Sequence, residues 1–228
     1  MEYTRPVAQQ VPLSANARRI RQQVIALPYL ERRLYLKGHY PRFVYRYVSD
    51  QLLERYLSDY IVDSFFWLSS PSKFNDPFDM AAHVNVGGNI TQRIEWARKA
   101  AKEHYSQLPW KERQKIISET VRDKNLPANV VSSFRKNIEQ NGVVCFSKDP
   151  RNLLMWSHYA NHHKGFVLQF EIANDFESMS ALQEVKYEDN YPVLNWLNFS
   201  FRDFVVVMGR KHPDWHYEEE FRIVISRP

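Results

Sequence analysis

The chain contains an acidic run followed by a short apolar strand pattern, and this segment has the residue types for acid–base chemistry. Glu218, Glu219 and Glu220 precede Phe221 and Arg222 in the stretch WHYEEEFRIVIS. Alternation along a β-strand puts Glu218, Glu220 and Arg222 on one face, with the two carboxylates about 7 Å apart. Repulsion raises the pKa of one carboxylate unless a cation is near, and Arg222 could be that cation. The same charges could instead protect a solvent-exposed sheet edge.

A second candidate site lies in the segment FVYRYV, residues 43–48, which the sequence predicts to be a strand. Arg46 stands among aromatic residues there, next to Tyr47. A guanidinium beside aromatic rings suits a phosphate or carboxylate ligand. Arg46 could equally form a purely structural ion pair with Glu218 or Glu220. Both interpretations predict that Arg46 lies close to the acidic run.

Polar side chains also follow a predicted buried strand at residues 65–69, in the segment LSSPSKFNDPFD. The hydroxyls of Ser69 and Ser70, at the strand end, could orient a carboxylate or bond a ribose. Asn75 lies in the loop that follows and could contact the same ligand, although Asx-turn chemistry explains it without a function. Further along, Trp156 and Tyr159 could stack on a planar ring, and core packing is the alternative.

The chain offers little for a metal site. His158 and His162 have the i, i+4 spacing that can chelate a metal on a helix, but no HExxH pattern accompanies them. Cys145 is the one cysteine, which excludes a disulfide framework. It lies within a predicted strand, where burial makes a thiol inert. We expect no metal ion.

These candidates fall on a pattern of strands and helices that is typical of an α+β protein. Predicted strands at 43–48, 65–69, 143–147 and 221–226 are apolar, whereas residues 91–140 are polar and predicted to be helical, with Thr91 capping one helix. Asp149 and Pro150 are expected to open a short helix. The fold class we predict has a mixed, largely antiparallel β core and an inserted helical layer at 91–140.

The charge is concentrated near the start of the chain. Residues 1–46 carry nine Lys or Arg and two acidic residues, whereas the whole chain has a formal net charge of +5. We therefore divide the chain into a basic arm or helix at 1–42 and a single α+β domain at 43–228. Residues 1–30 are expected to contribute little to the core. The arm could contact nucleic acid, or it could be a solvated helix face. No apolar run approaches the ~18 residues of a membrane span, so we expect a cytoplasmic protein without membrane contact.

The motifs together resemble a known prokaryotic family. The segments SSPSKFNDPFD, LMWSHYANHHKGF and DWHYEEEFRIV occur in the order typical of a domain-of-unknown-function family numbered 2971. The resemblance extends over about residues 43–225. Genes of this family are often found near mobile elements and defence genes, which implies a role as a phage-defence effector or toxin.

A weaker resemblance is to the ADP-ribosyltransferase fold of the R-S-E type. Arg46 matches the arginine of its first strand, Ser69 and Ser70 match its serine-containing strand end, and Glu218-Glu219-Glu220 matches the Glu-x-Glu that enters a late strand. The resemblance implies that NAD is the substrate, that Arg46 binds it, and that Glu220 is the essential carboxylate. Glu218 would activate an acceptor. The middle element reads Leu-Ser-Ser-Pro instead of the family's Ser-Thr-Ser.

The resemblance leads to two functional hypotheses. The first is an NAD-consuming transferase or NAD glycohydrolase with Glu218, Glu220 and Ser69 as catalytic residues and Arg46, Tyr47, Ser70, Asn75, Trp156 and Tyr159 as NAD-binding residues. The second is a non-catalytic member of the same fold that binds nucleotide or nucleic acid. The acceptor in the first hypothesis stays open between protein, nucleic acid, a small molecule and water. The first requires Arg46, Ser69 and Glu220 to meet around one cleft.

Overall fold

The computed structural model describes residues 15–53, 66 and 68–226 of the chain. These residues form two compact units. The first unit takes its residues from Met1–Asp79, Glu139–Asp189 and Gly209–Pro228, and the second comprises Met80–Ile138 and Asn190–Met208. The helical layer predicted at 91–140 falls largely within the second unit. This unit begins before residue 91, at Met80, and also includes Asn190–Met208.

The described residues mix helices and strands, as the α+β prediction requires. The helices are α1 Ala15–Ala26, α2 Tyr29–Leu36, α3 Ile90–His104, α4 Trp110–Arg122, α5 Leu126–Glu139, α6 Leu153–Tyr159, α7 Phe176–Met179 and α8 Phe201–Met208. The strands are β1 Phe43–Val48, β2 His83–Asn85, β3 Asn141–Ser147, β4 Phe166–Glu171, β5 Gln183–Glu184, β6 Lys186–Tyr187, β7 Val193–Asn195, β8 Arg210–Lys211 and β9 Glu220–Ser226.

The first unit is built on a five-stranded sheet in the order β4-β1-β3-β9-β5. All four neighbouring pairs are antiparallel. A largely antiparallel β core is therefore confirmed. Strands β3 and β9 place Phe146 opposite Phe221 and Ser147 opposite Glu220. Since opposite residues share a face, the sheet has one apolar face and one polar face.

The apolar face of this sheet carries the main core of the first unit. Val144, Phe146, Phe221 and Ile223 are each at most 5% exposed and belong to one cluster. Strands rich in aromatic and β-branched residues favour this half-buried pleated surface, which explains why β3 and β9 form where the sequence predicts them. The adjacent β1 places Val44 in the same cluster.

The prediction that residues 1–30 contribute little to the core is wrong at Val24, which is 3% exposed and belongs to the main cluster. The two N-terminal helices also use arginines for docking. Arg21 donates to the carbonyl oxygen of Glu177 at 2.7 Å, and Arg32 donates to that of Ala173 at 3.0 Å. The described part of the arm, residues 15–42, is therefore packed on the first unit. Nucleic-acid contact through the arm stays a prediction.

The second unit contains the predicted helical block and a small parallel pair of strands, β2 with β7. Asn89 caps α3 through a capping box with Gln92, so the predicted cap at Thr91 is wrong by two residues. Helix α8 contains the run Val205–Val207, although three β-branched residues favour a strand. Its Val207 is 0% exposed, so tertiary burial overrides the local preference.

Three further local predictions need correction or lie outside the described residues. The predicted strand 65–69 is represented among the described residues by a single β-bridge between Ser69 and Val143. The sequence also predicts that Asp50 caps a helix, because apolar residues recur at helical spacing from Leu53 onward. This helix lies mostly outside the described residues. Helix α6 is capped by Asn152, whose side chain accepts from Leu154 and Met155, instead of by Asp149. Within the described residues, no helix is long and apolar enough to cross a membrane.

Candidate functional site

A cavity of about 270 Å³ opens on the polar face of the sheet in the first unit. We call it the central pocket. It brings together most of the residues that the sequence predicts to bind or react: Arg46, Tyr47, Ser69, Asn75, Tyr159, Glu218 and Glu220. A larger cavity of about 780 Å³ is lined in part by α1, α2 and α7 and includes none of them. The chemistry-bearing residues therefore meet in the smaller cavity.

The acidic run enters the central pocket through a turn instead of along a strand. A 3₁₀ helix spans Pro213–Glu218, Glu219 adopts the left-handed region with φ of 42°, and β9 begins at Glu220. Glu218 is 2% and Glu220 4% exposed, whereas Glu219 is exposed. Both buried carboxylates line the pocket, as predicted, but the assignment of Glu218 to the strand is wrong.

Arg222 holds two carboxylates at the base of the site. Its guanidinium donates to Glu220 Oε1 at 2.6 Å and Glu220 Oε2 at 2.8 Å. It also donates to Asp79 Oδ1 at 2.8 Å and Asp79 Oδ2 at 2.6 Å. Arg222 is 0% exposed. The planar fork of a guanidinium suits such paired contacts, so Arg222 is the cation that the sequence expected beside Glu220.

Lys211 is a functional-site residue that sequence reasoning missed. It lies in β8, and its ammonium group contacts Glu218 Oε2, Glu220 Oε2 at 3.1 Å and Asp79 Oδ2 at 3.5 Å. The ammonium also lies 4.8 Å from the centroid of the Trp215 ring. Lys211 is 7% exposed. No local pattern marks it, because β8 has only two residues and reaches the carboxylates through tertiary packing.

The outer oxygen of Glu218 is held from helix α6 and the loop after Ser69. Tyr159 Oη donates to Glu218 Oε1 at 2.6 Å, and Asn75 Nδ2 donates to Tyr159 Oη at 3.1 Å. Tyr159 and Asn75 were both predicted as binding residues. In the structure both lie beside the Glu218 carboxylate. Their hydrogen bonds link the loop, helix α6 and the acidic turn in one chain.

The network of Asp79, Lys211, Glu218, Glu220 and Arg222 contains three carboxylates and two cations, and we call it the ionic cluster. Burial raises the pKa of Glu218 to about 7, and the charge of Glu220 adds to the rise. Burial would also raise the pKa of Glu220, but Arg222 and Lys211 outweigh it and hold that pKa well below its usual range. Of the two glutamates, Glu218 has the pKa closer to neutral pH, a perturbation that is typical of functional sites.

The remaining predicted residues of the pocket lie on β1 and at the β-bridge. Arg46 Nη1 donates to the carbonyl oxygen of Cys145 at 3.1 Å. Tyr47 Oη donates to the carbonyl oxygen of Asp149 at 2.7 Å, and burial raises the pKa of Tyr47 to about 12. Ser69 is exposed and lines the pocket. Arg46 and Ser69 thus meet the carboxylates around one cavity.

Two predicted binding residues lie outside the lining of the central pocket. Ser70 Oγ donates to the carbonyl oxygen of Glu139 at 2.9 Å. Trp156 Nε1 donates to the carbonyl oxygen of Pro150 at 2.9 Å, and its ring packs edge-on against Tyr47 with centroids 5.5 Å apart. Both contacts are structural, so Ser70 and Trp156 support the walls of the site.

The histidines and the cysteine also have defined positions. His158 lies in α6, but His162 follows the helix with a positive φ of 54°, so the pair does not share a helix face. Among the described residues, no group of three or more His, Cys, Asp or Glu side chains is arranged so that it could hold a metal ion. Burial and the charge of Glu220 raise the pKa of the Cys145 thiol well above its usual value. Raised thiol pKa values oppose nucleophilic reactivity.

These features define a mixed α/β protein whose antiparallel sheet carries a pocket lined by a buried ionic cluster. Residues 155–223 match a family model described as "Protein of unknown function (DUF2971)". The match confirms the resemblance to that family over this segment, which contains Tyr159, Lys211, Glu218 and Glu220. No curated protein and no solved structure gives a significant match to the chain.

Proposed function

We propose that this protein is an NAD-consuming enzyme that cleaves the bond between nicotinamide and ribose in the central pocket. One observation carries the proposal: Arg46, Ser69, Glu218 and Glu220 line the same cavity. An arginine for the pyrophosphate, a hydroxyl, and a carboxylate beside the ribose are the groups that this reaction needs. Preorganised charges of this kind stabilise the oxocarbenium-like ion that forms as nicotinamide leaves.

We assign the acid–base role to Glu218. Glu220 has both oxygens bound by Arg222, with Lys211 also on Oε2, so it anchors the ionic cluster. The pKa of Glu218, about 7, lies close to neutral pH, which is where a general base is most effective. In the proposed reaction nicotinamide departs with the electron pair of the broken bond. The acceptor oxygen bonds to the ribose carbon, and Glu218 takes its proton.

The size of the pocket limits which part of NAD it can hold. Its volume of about 270 Å³ lies just below the ~300–1,000 Å³ typical of pockets for drug-sized ligands. A whole dinucleotide is larger than such a ligand. We therefore place the nicotinamide and its ribose in the pocket, where the aromatic residues Tyr45 and Phe74 are also part of the lining.

The proposal is tested by incubating the purified protein with NAD labelled in the nicotinamide ring and measuring free nicotinamide. We expect release by the natural protein and a loss of about 100-fold or more in Glu218→Gln, the typical effect of removing a general base. Glu219→Gln is the matched control, because Glu219 is an exposed neighbour. Release by Glu218→Gln at the natural rate would contradict the assignment.

The acceptor and the cellular role are part of the same proposal. NAD labelled in the adenylate half separates the acceptors. The label stays on a product of low molecular mass if water or a small molecule is the acceptor, and it becomes attached to the macromolecule if the acceptor is protein or nucleic acid. A defence effector or toxin of this kind should lower the NAD content of cells that express it. Expression of Glu218→Gln should leave cellular NAD unchanged.

A second candidate function is non-catalytic nucleotide binding. It is favoured by the internal bonding of the carboxylates, since both oxygens of Glu218 and both of Glu220 accept hydrogen bonds from protein side chains. Calorimetry distinguishes the candidates. Binding of NAD without any release of nicotinamide would favour this second function.

A further inference from the structure

Glu218 is held by a chain of two hydrogen bonds that runs outward from the ionic cluster to an exposed side chain. Tyr159 Oη donates to Glu218 Oε1 at 2.6 Å, and Asn75 Nδ2 donates to Tyr159 Oη at 3.1 Å. A phenol hydroxyl has one hydrogen. When Asn75 donates to the phenol oxygen, that hydrogen is left to point at Glu218.

The backbone around this chain is fixed on the side of helix α6. Asn152 caps α6 with its oxygen and donates through Nδ2 to the carbonyl oxygen of Tyr217 at 2.8 Å. This contact ties the start of α6 to the 3₁₀ helix that ends in Glu218. Tyr159 is therefore held at a set distance from the carboxylate. Asn75 is exposed and lies on a different segment.

We infer that Tyr159 and Asn75 are positioning residues: Asn75 orients the hydroxyl of Tyr159, and Tyr159 in turn stabilises the ionised form of Glu218. For catalysis this inference rests on the proposed function, because an ionised Glu218 is the form that accepts a proton there. The control of Glu218 by an exposed asparagine is independent of which reaction occurs. Through this control, the loop around Asn75 influences the protonation of Glu218.

Charged and titratable groups approach Glu218 from several elements. They are Tyr159 from α6, Lys211 from β8, Glu220 from β9, Tyr187 from β6 and Tyr217 from the 3₁₀ helix. Arg222 and Asp79 join them through their contacts with Glu220 and Lys211. Lys211 favours the ionised form of Glu218, and Glu220 opposes it. Burial and the charge of Glu218 raise the pKa of Tyr159, so its hydroxyl stays protonated and remains a donor.

The first experiment measures the titration of Glu218 directly. Glutamate labelled with ¹³C at the side-chain carboxyl is incorporated, and Glu218→Gln identifies the signal of Glu218. In Tyr159→Phe the midpoint should rise by about one to two pH units, since a hydrogen bond to a charged acceptor is lost. Tyr217→Phe is the matched control. Burial and the charge of Glu218 raise the pKa of Tyr217, so its hydroxyl stays neutral near pH 7 and its removal should leave the midpoint nearly unchanged.

The second variant tests the role of Asn75. In Asn75→Asp the new carboxylate accepts the Tyr159 hydrogen and adds a negative charge nearby, so the midpoint of Glu218 should also rise. Asn75 is exposed, so this variant should fold even if Tyr159→Phe does not. Asn75→Ala, which leaves the hydroxyl free to rotate, should give a smaller rise than Asn75→Asp.

The outcomes separate the inference from the proposed function. An unchanged Glu218 midpoint in both Tyr159→Phe and Asn75→Asp would overturn the inference, including when the melting temperature falls. A raised midpoint supports it even if the natural protein releases no nicotinamide, in which case the proposed function alone fails. If nicotinamide is released, the pH at which Tyr159→Phe reaches half its maximal rate should rise by the same amount as the midpoint.

Discussion

The two faces of the central sheet are both buried, but one carries apolar side chains and the other carries polar and charged ones. On one face, Phe146 lies opposite Phe221 in the apolar core. On the other, Ser147 lies opposite Glu220, and Cys145 lies opposite Arg222. The exposed fractions are alike, with 2% for Phe146 and 0% for Arg222. The same two strands therefore carry a hydrophobic core and a buried ionic cluster on opposite sides.

The two faces contribute unequally to the stability of the first unit. Burying apolar surface stabilises a fold by roughly 25 cal/mol per Å². Burying ions removes them from water, and a well-packed apolar replacement is often as stable or more stable. The polar face with the ionic cluster is therefore expected to add less to the free energy of unfolding than the apolar face does. Its position on a pocket points to a functional reason for keeping it.

The largest effect should come from removing the central cation of the ionic face. Arg222→Met leaves Glu220 and Asp79 buried without their guanidinium, which should lower the free energy of unfolding by about 3–5 kcal/mol. Denaturant unfolding of the natural protein and the variant measures the difference. A decrease in the free energy of unfolding below about 1 kcal/mol would mean that the carboxylates are accessible to water. The contrast between a buried apolar face and a buried ionic face would then be wrong.

A smaller effect should appear as a dependence of the free energy of unfolding on pH. The apolar face cannot produce it, because its side chains do not titrate. Burial raises the pKa of Glu218 to about 7. The folded state therefore holds the proton of Glu218 more tightly than the unfolded state, and this contribution to the free energy of unfolding is fully present below about pH 4.5. It is lost as the pH rises through about 7. The loss is roughly 1.4 kcal/mol for each pH unit between the unfolded and folded pKa values. Arg222 and Lys211 lower the pKa of Glu220, so its contribution is present above about pH 4.5 and is lost in stronger acid.

Glu218→Gln isolates the part of this pH dependence that comes from one carboxylate. The variant should lose the decline in stability between about pH 5 and pH 8 and keep the decline in strong acid that Glu220 causes. Unfolding at a series of pH values checks both parts. Glu219→Gln serves again as the control and should retain the natural pH profile. A Glu218→Gln profile that still declines toward pH 8 would place the titrating group elsewhere.

The smallest effect should come from a conservative change on the apolar face. Ile223→Val removes one methylene from a residue that is 3% exposed, which should lower the free energy of unfolding by about 0.5–1.5 kcal/mol. The loss should be the same at pH 5 and pH 8, because no charge is involved. A loss that varies with pH would show that the two faces are energetically coupled.

Elements with a local pattern could be predicted from the sequence alone. Strands β1, β3 and β9 follow from their aromatic and β-branched content, and the helices of the polar block follow from their periodicity. Most of the pocket was also predictable. Its residues Arg46, Ser69, Asn75, Tyr159, Glu218 and Glu220 were singled out by residue type and motif, and the structure places them around one cavity.

The pairing of the charges, by contrast, depends on the tertiary structure. Lys211 was missed because nothing in its local sequence distinguishes it from a surface lysine, whereas packing brings it to three carboxylates. Asp79 pairs with Arg222 across 143 residues of chain. Val24 likewise enters the core from a basic helix. The physical reason is the same for all three: tertiary packing decides which side chains are buried and which partners they meet, while local patterns report only the backbone conformation.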